Sequence, residues 1–441
     1  MPQKNDLALL GGDPAVTDVP KFIWPPITEK DVRAVAEMVR RRELSHYGRE
    51  GKVAYLENKF ADYLGMRYVL ATSSGTAALH SAYFGLGLSP GDEVLAPTYT
   101  FLATVMPLFV ANAVPVLVDA DPTSGNLDPQ DLERHITERT RAIVVTHLWG
   151  NPVDMPTIMD VARTHNLKVV EDCAHAHGTI CRGRPVGTFG DVGIFSLEGR
   201  KLVAGGQGGI LVTNNQEVFE RAVLLGHFNI RALEDVHSTK YRRYAETGFG
   251  LNYRIHPVAA AIASAQLDRL EEHVAARRHN LDYLSEQLEP IPGIEPPVKA
   301  AADSRQAFYS YKPTYNSAAM EGLPIDIYVK AVRAEGVPLE RYPMKPLHTQ
   351  PIFQDEHPPL LTHGAMEHFA NEARWAKRRP MNLPNSEAYA ARLLALPAYT
   401  DPVRPVLDNF AAAFAKVAMH AEQLRDYAAS IGGETSVAGA R

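Results

Sequence analysis

From about Val53 onward, short apolar runs alternate with longer stretches in which apolar residues recur every three or four positions. The short runs at Tyr68-Ala71, Glu93-Ala96, Val114-Asp119, Ala142-His147, Lys168-Glu171, Gly193-Ser196 and Gly209-Thr213 read as strands. Between most of them lie stretches of helical period, such as Ala77-Gly85, Phe101-Ala111, Pro129-Ile136 and Met155-His165. Strand and helix in alternation predict right-handed crossovers and a mostly parallel sheet covered on both faces. The first fifty residues read instead as an arm: an extended Trp24-Pro25-Pro26, an amphipathic helix over Glu29-Arg42, and a polar loop over Ser45-Gly51. After the strands comes one long helical segment, Pro257 to Glu289, broken by Pro290-Ile291-Pro292-Gly293. A strand at Phe308-Tyr311 and helices over Asp326-Glu335 and Pro402-His420 predict a second, smaller α/β body. The expected division is an arm over 1–52, a large α/β domain over 53–290, a small α/β domain over 291–430, and a disordered Gly-, Ser- and Ala-rich tail over 431–441. No internal repeat is visible.

Composition narrows the function more than the fold. A formal net charge of −6 argues against nucleic acid, whose phosphates need a basic surface. The most apolar stretch, Val105 to Val118, is short and interrupted by Pro107, Asn112 and Pro115, so no membrane span is expected. Met1 to Val19 lacks a secretory pattern, and two cysteines, Cys173 and Cys181, make no disulfide framework; a cytoplasmic protein is expected.

Three features at strand ends carry chemistry. The first strand runs into Thr72-Ser73-Ser74-Gly75-Thr76 ahead of a helix, and free N–H groups there favour an anion such as phosphate. Asp172 in Glu171-Asp172-Cys173-Ala174-His175 closes an apolar strand, a costly place for a charge without a cationic partner; a protonated pyridine nitrogen is one such partner. Lys201 lies between Gly190-Asp191-Val192-Gly193 and Gly205-Gly206-Gln207-Gly208-Gly209, in a loop where a restricted amine can act as a nucleophile toward an aldehyde. Each has a plain alternative: a helix cap, a charge-paired structural Asp, a surface Lys. Occurring in this order near successive strand ends, they meet the three requirements of one cofactor.

With Ser74-Gly75-Thr76-Ala77-Ala78-Leu79, Pro90-Gly91-Asp92-Glu93, Thr100-Phe101 and Gly250-Leu251-Asn252-Tyr253-Arg254 added, the chain resembles the DegT/DnrJ/EryC1/StrS aminotransferases from about Leu9 to Leu424. The resemblance implies the type I, aspartate-aminotransferase-like fold of pyridoxal 5'-phosphate enzymes, with a large mostly parallel sheet domain and a smaller C-terminal α/β domain. It implies that Lys201 bonds the cofactor and shuttles a proton, that Asp172 pairs with the pyridine nitrogen, and that His175 lies near the phenolic oxygen. Phe101 is expected to stack on the ring, and Gly75, Thr76 and Ser196 to bind the phosphate. Asn252 is expected to reach the phosphate of a neighbouring subunit, which implies a homodimer with shared active sites. The reaction implied moves an amino group from glutamate or glutamine to a keto sugar, nucleotide-sugar or inosose-like cyclitol, in aminosugar, aminocyclitol or antibiotic biosynthesis. The stretch from Gln354 to Pro384 leans toward the inosose enzymes. Tyr47, Tyr342 and His348 are expected substrate contacts.

Two departures from the family pattern stand near the lysine: Glu198-Gly199-Arg200, and Gln207 where Glu is usual. The alternatives are a same-fold enzyme of dehydratase-like or other α-carbon chemistry, a non-enzymatic regulator, and a dehydrogenase, for which no Gly-x-Gly-x-x-Gly fingerprint appears. His175, His177 and the two cysteines complete no metal site of normal pattern, so no metal is expected. His147 reads equally as a site residue or a satisfied buried histidine, and Lys377-Arg378-Arg379 as a solvated surface run.

Overall fold

Alternation along each strand builds two cores at once, one on either face of a single sheet. A computed structural model describes residues 6–355 and 381–438. In it the predicted strands form a seven-stranded sheet: β1 (Tyr68–Thr72), β2 (Glu93–Pro97), β3 (Val114–Val118), β4 (Thr140–Thr146), β5 (Lys168–Asp172), β6 (Val192–Ser196) and β7 (Gly209–Thr213). The spatial order is β1-β7-β6-β5-β4-β2-β3. β7 runs antiparallel to both its neighbours, and the remaining pairs are parallel. Val69, Leu95, Val116, Ile143, Val169, Phe195 and Ile210 enter one core. Leu70, Val94, Leu117, Val144, Val170, Ile194 and Leu211 enter the other. Burial on both faces is why these strands read as near-continuous apolar runs.

Helices cover the sheet: α1 (Glu29–Arg41), α2 (Gly51–Leu64), α3 (Gly75–Leu86), α4 (Met155–Thr164), α5 (Gln216–Gly226), α6 (Pro257–Asp268) and α7 (Leu270–Leu288). α1 starts at a capping box in which Thr28 and Asp31 satisfy each other's backbone N–H groups. The single helix expected from Pro257 to Glu289 is two, α6 and α7. Arg269 between them leaves helical geometry (φ −102°, ψ 2°), and its guanidinium pairs with Asp31 at 2.8 Å. A long-range ion pair thus accompanies a break that local periodicity does not reveal.

The expected strand at Phe308-Tyr311 is absent. Phe308 takes φ 49°, in the left-handed region, which no extended segment accommodates. The strands of this region are two-residue pairs, Ile294–Glu295 with Thr314–Tyr315 and Glu340–Arg341 with Leu394–Ala395. A third core lies here, where Leu281 and Leu284 meet Tyr315, Tyr328, Phe410 and Phe414 of the C-terminal segment, which includes α8 (Ile325–Ala334) and α9 (Arg404–Met419). Leu7 and Val16 of the N-terminal arm pack into the same core. A last helix, α10, runs Ala421–Ala438, past Ile431, where loss of order is expected. No proline interrupts that segment, and a helix already nucleated propagates at low cost per residue. Among the described residues no helix is long and apolar enough to cross a membrane. Lys377-Arg378-Arg379, and most of the stretch from Gln354 to Pro384, lie outside the described residues.

Candidate active site

The site forms where six strands end on the same edge of the sheet, the edge at which such sheets bind ligands. β1 stops at Thr72, and α3 begins after Ser74, whose Oγ accepts from the Ala77 N–H at 3.0 Å. That cap leaves the N–H groups of Gly75 and Thr76, the first two helical residues, without intrahelical partners. Capping by Ser74 therefore does not use up the donors that an anion would need. Ser196, at the end of β6, faces this turn; a Cβ placed on Gly75 comes within 2.9 Å of the Ser196 Cβ. Gly209 lies on the far side, where a Cβ would collide with the carbonyl oxygen of Ser74.

Asp172 ends β5 and is 3% exposed. Its Oδ1 accepts from the Ala174 N–H at 3.0 Å and its Oδ2 from the Thr104 hydroxyl at 2.7 Å. Thr104 joins a chain of hydroxyls with Thr100 and Thr146, whose Oγ atoms lie 3.0 Å apart. Among the described residues no cation lies within ion-pair distance of Asp172, so the reading of a structural, charge-paired Asp lacks its partner. Burial pushes its carboxyl above the usual range, and the Ala174 and Thr104 hydrogen bonds and the Lys201 charge pull the other way.

Lys201 lies on the loop between β6 and β7. Its Nζ sits 4.5 Å from the centre of the Tyr309 ring, and its carbonyl oxygen accepts from the Trp24 indole N–H at 2.9 Å. Burial brings its amine down to about 8, against the opposing charges of Glu198 and Asp172. His175 is stacked between two rings, Tyr309 at 4.2 Å and 9° and Trp149 at 5.2 Å and 15°. Its Nδ1 has no hydrogen-bond partner, and burial holds the imidazole neutral with its pKa well below the ordinary value.

The other expected residues divide. Phe101 is 58% exposed, at the start of a short turn of helix (Leu102–Thr104) that also carries Thr104. Asn252 is exposed, and its Oδ1 accepts from the Arg254 Nε at 3.1 Å. Arg254 pairs across to Thr72 and lies over the Tyr47 ring at 4.5 Å, so Tyr47 and Asn252 come together beside the β1–α3 turn. Tyr342 meets Trp149 edge-on at 4.8 Å and lies under the Lys312 ammonium at 3.6 Å. His348, also an expected substrate contact, is 1% exposed, with Nδ1 2.8 Å from the Thr98 hydroxyl and Nε2 3.0 Å from Glu387, so both nitrogens are engaged in joining two segments. His147 is likewise a satisfied buried histidine: Nδ1 accepts from the Val153 N–H and Nε2 lies 3.2 Å from Glu171.

The one group among the described residues with metal-ligating donors close together is His147, Glu171 and Cys173. The Glu171 oxygens there accept from the N–H groups of Gly187, Phe189 and Gly190, which is the pattern of a structural carboxylate. Sequence reasoning missed Thr104 and Tyr309. Thr104 follows the noted Thr100-Phe101 by one helical turn, a usable signal; nothing in the pattern ties Tyr309 to Lys201.

The sequence profile of the DegT/DnrJ/EryC1/StrS aminotransferase family matches residues 25–408. The chain belongs to this family. It is similar to a putative L-glutamine:3-amino-2,3-dideoxy-scyllo-inosose aminotransferase of Micromonospora echinospora, with 36% identity over 79% of this chain and 82% of that one. It is also similar to a GDP-perosamine synthase of Escherichia coli O157:H7, with 32% identity over 82% of this chain and 92% of the relative. Among solved structures it resembles an aminotransferase from Psychrobacter cryohalolentis, with a TM-score of 0.76 and 26% identity over 89% of this chain and 98% of that one. The chain is an aminotransferase of the type I fold.

Proposed function

We propose that this aminotransferase uses pyridoxal 5'-phosphate to move an amino group from glutamine or glutamate to the keto carbon of a sugar or cyclitol. The observation that carries the reading is a half-buried lysine, Lys201, whose amine is brought down to about 8, and a buried carboxylate, Asp172, at one sheet edge with no ion-pair partner for either among the described residues. The donor set fits the cofactor. A pyridine nitrogen supplies the cation that Asp172 lacks, and the unpartnered Nδ1 of His175 suits a phenolic oxygen. Gly75, Thr76 and Ser196 would hold the phosphate, Phe101 would cover the ring, and Asn252 would reach the phosphate of a second subunit. Exposed Phe101, Leu102, Val110 and Phe249 favour a homodimer, since exposed apolar side chains of this size gather at interfaces.

When bound, pyridoxal phosphate supplies a conjugated ring that accepts electrons from the carbon losing its proton. The chain's own work is placement and proton control. With its pKa about 8, the Lys201 amine is populated both neutral and protonated near neutral pH, as a group that first attacks an aldehyde and then carries a proton requires. Asp172, held by Thr104 and Ala174, keeps its carboxylate aimed where a pyridine N–H would lie. Tyr309 lies against Nζ of Lys201, and Trp149 backs His175 from its other face. Tyr47 and Tyr342 are the proposed contacts to the acceptor. The similarity to inosose and perosamine enzymes supports an acceptor that is a cyclitol or sugar ketone, and a place in aminosugar, aminocyclitol or antibiotic biosynthesis.

The test is the absorbance spectrum of the purified protein before and after L-glutamine or L-glutamate is added without an acceptor. The expected result is a visible band of bound cofactor that bleaches as the cofactor takes up the amine. A band indifferent to both donors would replace transamination with another α-carbon reaction. No band after incubation with pyridoxal phosphate would overturn the role of Lys201.

A further inference from the structure

Arg277, on α7, is the largest fully buried side chain of the protein's described residues, 1% exposed. Among the described residues no carboxylate pairs with it. Its Nη1 donates instead to two successive carbonyl oxygens, Phe308 at 2.9 Å and Tyr309 at 3.0 Å. The flat face of the guanidinium lies 4.0 Å from the centre of the Trp24 ring. Trp24 in turn donates its indole N–H to the carbonyl oxygen of Lys201 at 2.9 Å. Tyr309 carries the ring on which the Lys201 Nζ rests, and the same ring lies flat against His175. One buried cation therefore reaches the reactive lysine by two routes, through the backbone behind it and through the ring in front of it.

The arrangement joins four segments far apart in sequence: the arm at Trp24, α7, the loop at Phe308-Tyr309 and the loop at Lys201. Phe308 takes a left-handed backbone that a bulky residue adopts only where its surroundings over-determine it, and the Arg277 hydrogen bond to its carbonyl is such a constraint. A buried ion without a counter-ion is an expensive way to stabilise a fold, and a planar fork that also stacks is specific to arginine. We propose that Arg277 is a positioning residue that, through Trp24 and Tyr309, seats the Lys201 side chain in its half-buried place against the Tyr309 ring and so sets its readiness as an amine. This rests on the reading of Lys201 as the reactive amine.

The groups around the device are few. Arg277 faces Trp24, Tyr309 and His273, and burial lowers its own pKa to about 9. Lys201 faces Glu198, Asp172, His175, His177 and Tyr309, and Arg277 is not among the charges that shift it. Removing Arg277 therefore acts on Lys201 through its seat, and the lysine moves back toward its ordinary, higher value.

The experiment reads the amine itself in cofactor-free protein: the pH dependence of Lys201 acetylation by acetic anhydride, followed by peptide mass spectrometry. In the wild type, half-maximal reactivity is expected near pH 8, the value burial gives the amine. Arg277→Met should raise that midpoint by about one pH unit or more, roughly a tenfold loss of neutral amine at pH 7. Trp24→Phe keeps a smaller ring against the guanidinium, removes the indole N–H to Lys201 together with one of the fused rings, and should move the midpoint the same way by less. Arg277→Lys keeps the charge but not the fork, and should resemble Arg277→Met. A wild-type profile in folded Arg277→Met, or full recovery in Arg277→Lys, overturns the proposal. Should Arg277→Met not fold, an unchanged profile in Trp24→Phe overturns it alone. Acetylation needs neither cofactor nor substrate, so an inactive wild type would sink the transamination reading and leave this result standing.

Discussion

Lys201 and Asp172 oppose the electrostatics of their own surroundings, and that opposition is measurable. With the amine at about 8, the rate at which pyridoxal phosphate attaches to the protein should climb with pH and level off above that value. A stopped-flow absorbance series gives the midpoint; one near 10 would return Lys201 to an ordinary exposed amine. Lys201→Ala should abolish amine transfer, and a variant that still transfers at the wild-type rate would remove the mechanism. For Asp172 the folded pKa is raised, so the sign of the pH linkage is the unusual one for an acid. Stability is fully present below the unfolded value of the carboxyl and is lost as pH rises through the folded one. Above that range, burying this carboxyl costs the cofactor-free protein stability. Asp172→Asn should raise its melting temperature by a few degrees. The same variant should lower turnover by roughly a hundredfold or more, as loss of an aimed charge in a dry site does. A variant that melts lower and turns over normally would contradict both halves. Both residues were legible in the sequence, because a charge at the end of an apolar strand and a lysine among glycines are local anomalies. Tyr309 was not, because a ring under an ammonium is a contact between distant segments.

Single elements decide how closely backbone approaches the site. β7 must pass the start of α3 so tightly that Gly209 has room for no Cβ beside the Ser74 carbonyl. Gly209→Ala should destabilise the protein by about 1–3 kcal/mol, since backbone rather than a flexible side chain must yield. It should also weaken retention of pyridoxal phosphate, measured by dialysis. Ser74→Ala is the contrasting case. It removes the cap on the Ala77 N–H and should cost about 1 kcal/mol in urea unfolding. The Gly75 and Thr76 N–H groups remain, so phosphate affinity should change little. A large loss of affinity with intact stability would show that the Ser74 hydroxyl itself faces the anion. Glycine spacing in the sequence located this turn, but the helix after it starts at Gly75, two residues before the expected Ala77. The break at Arg269 and the kink at Phe308 were invisible, because an ion pair to Asp31 and a buried arginine hold them from other elements.

At the scale of the molecule, the N-terminal arm is part of the C-terminal core. Glu335, fully buried, accepts from the Ala8 and Ala15 N–H groups and from the Lys416 ammonium, so it binds the arm to α9. Glu335→Ala leaves the Ala8 and Ala15 N–H groups unpaired and Lys416 without its carboxylate, and should lower unfolding free energy by about 3 kcal/mol. Protease digestion should then cut the arm first; cleavage elsewhere at unchanged arm resistance would argue against the clasp. What the sequence determined by itself was the sheet, its two-faced burial and the order of the Gly75 turn, Asp172 and Lys201 along the chain. Those follow from period, glycine placement and charge at strand ends, all of which act within a few residues. Only the tertiary structure decided which strands neighbour one another, that β7 runs against its partners, and that His348 bridges Thr98 and Glu387. It also brought Trp24, Arg277 and Tyr309 to bear on Lys201. Long-range contacts of this kind become favourable only once the whole chain has closed around them, so no local pattern announces them.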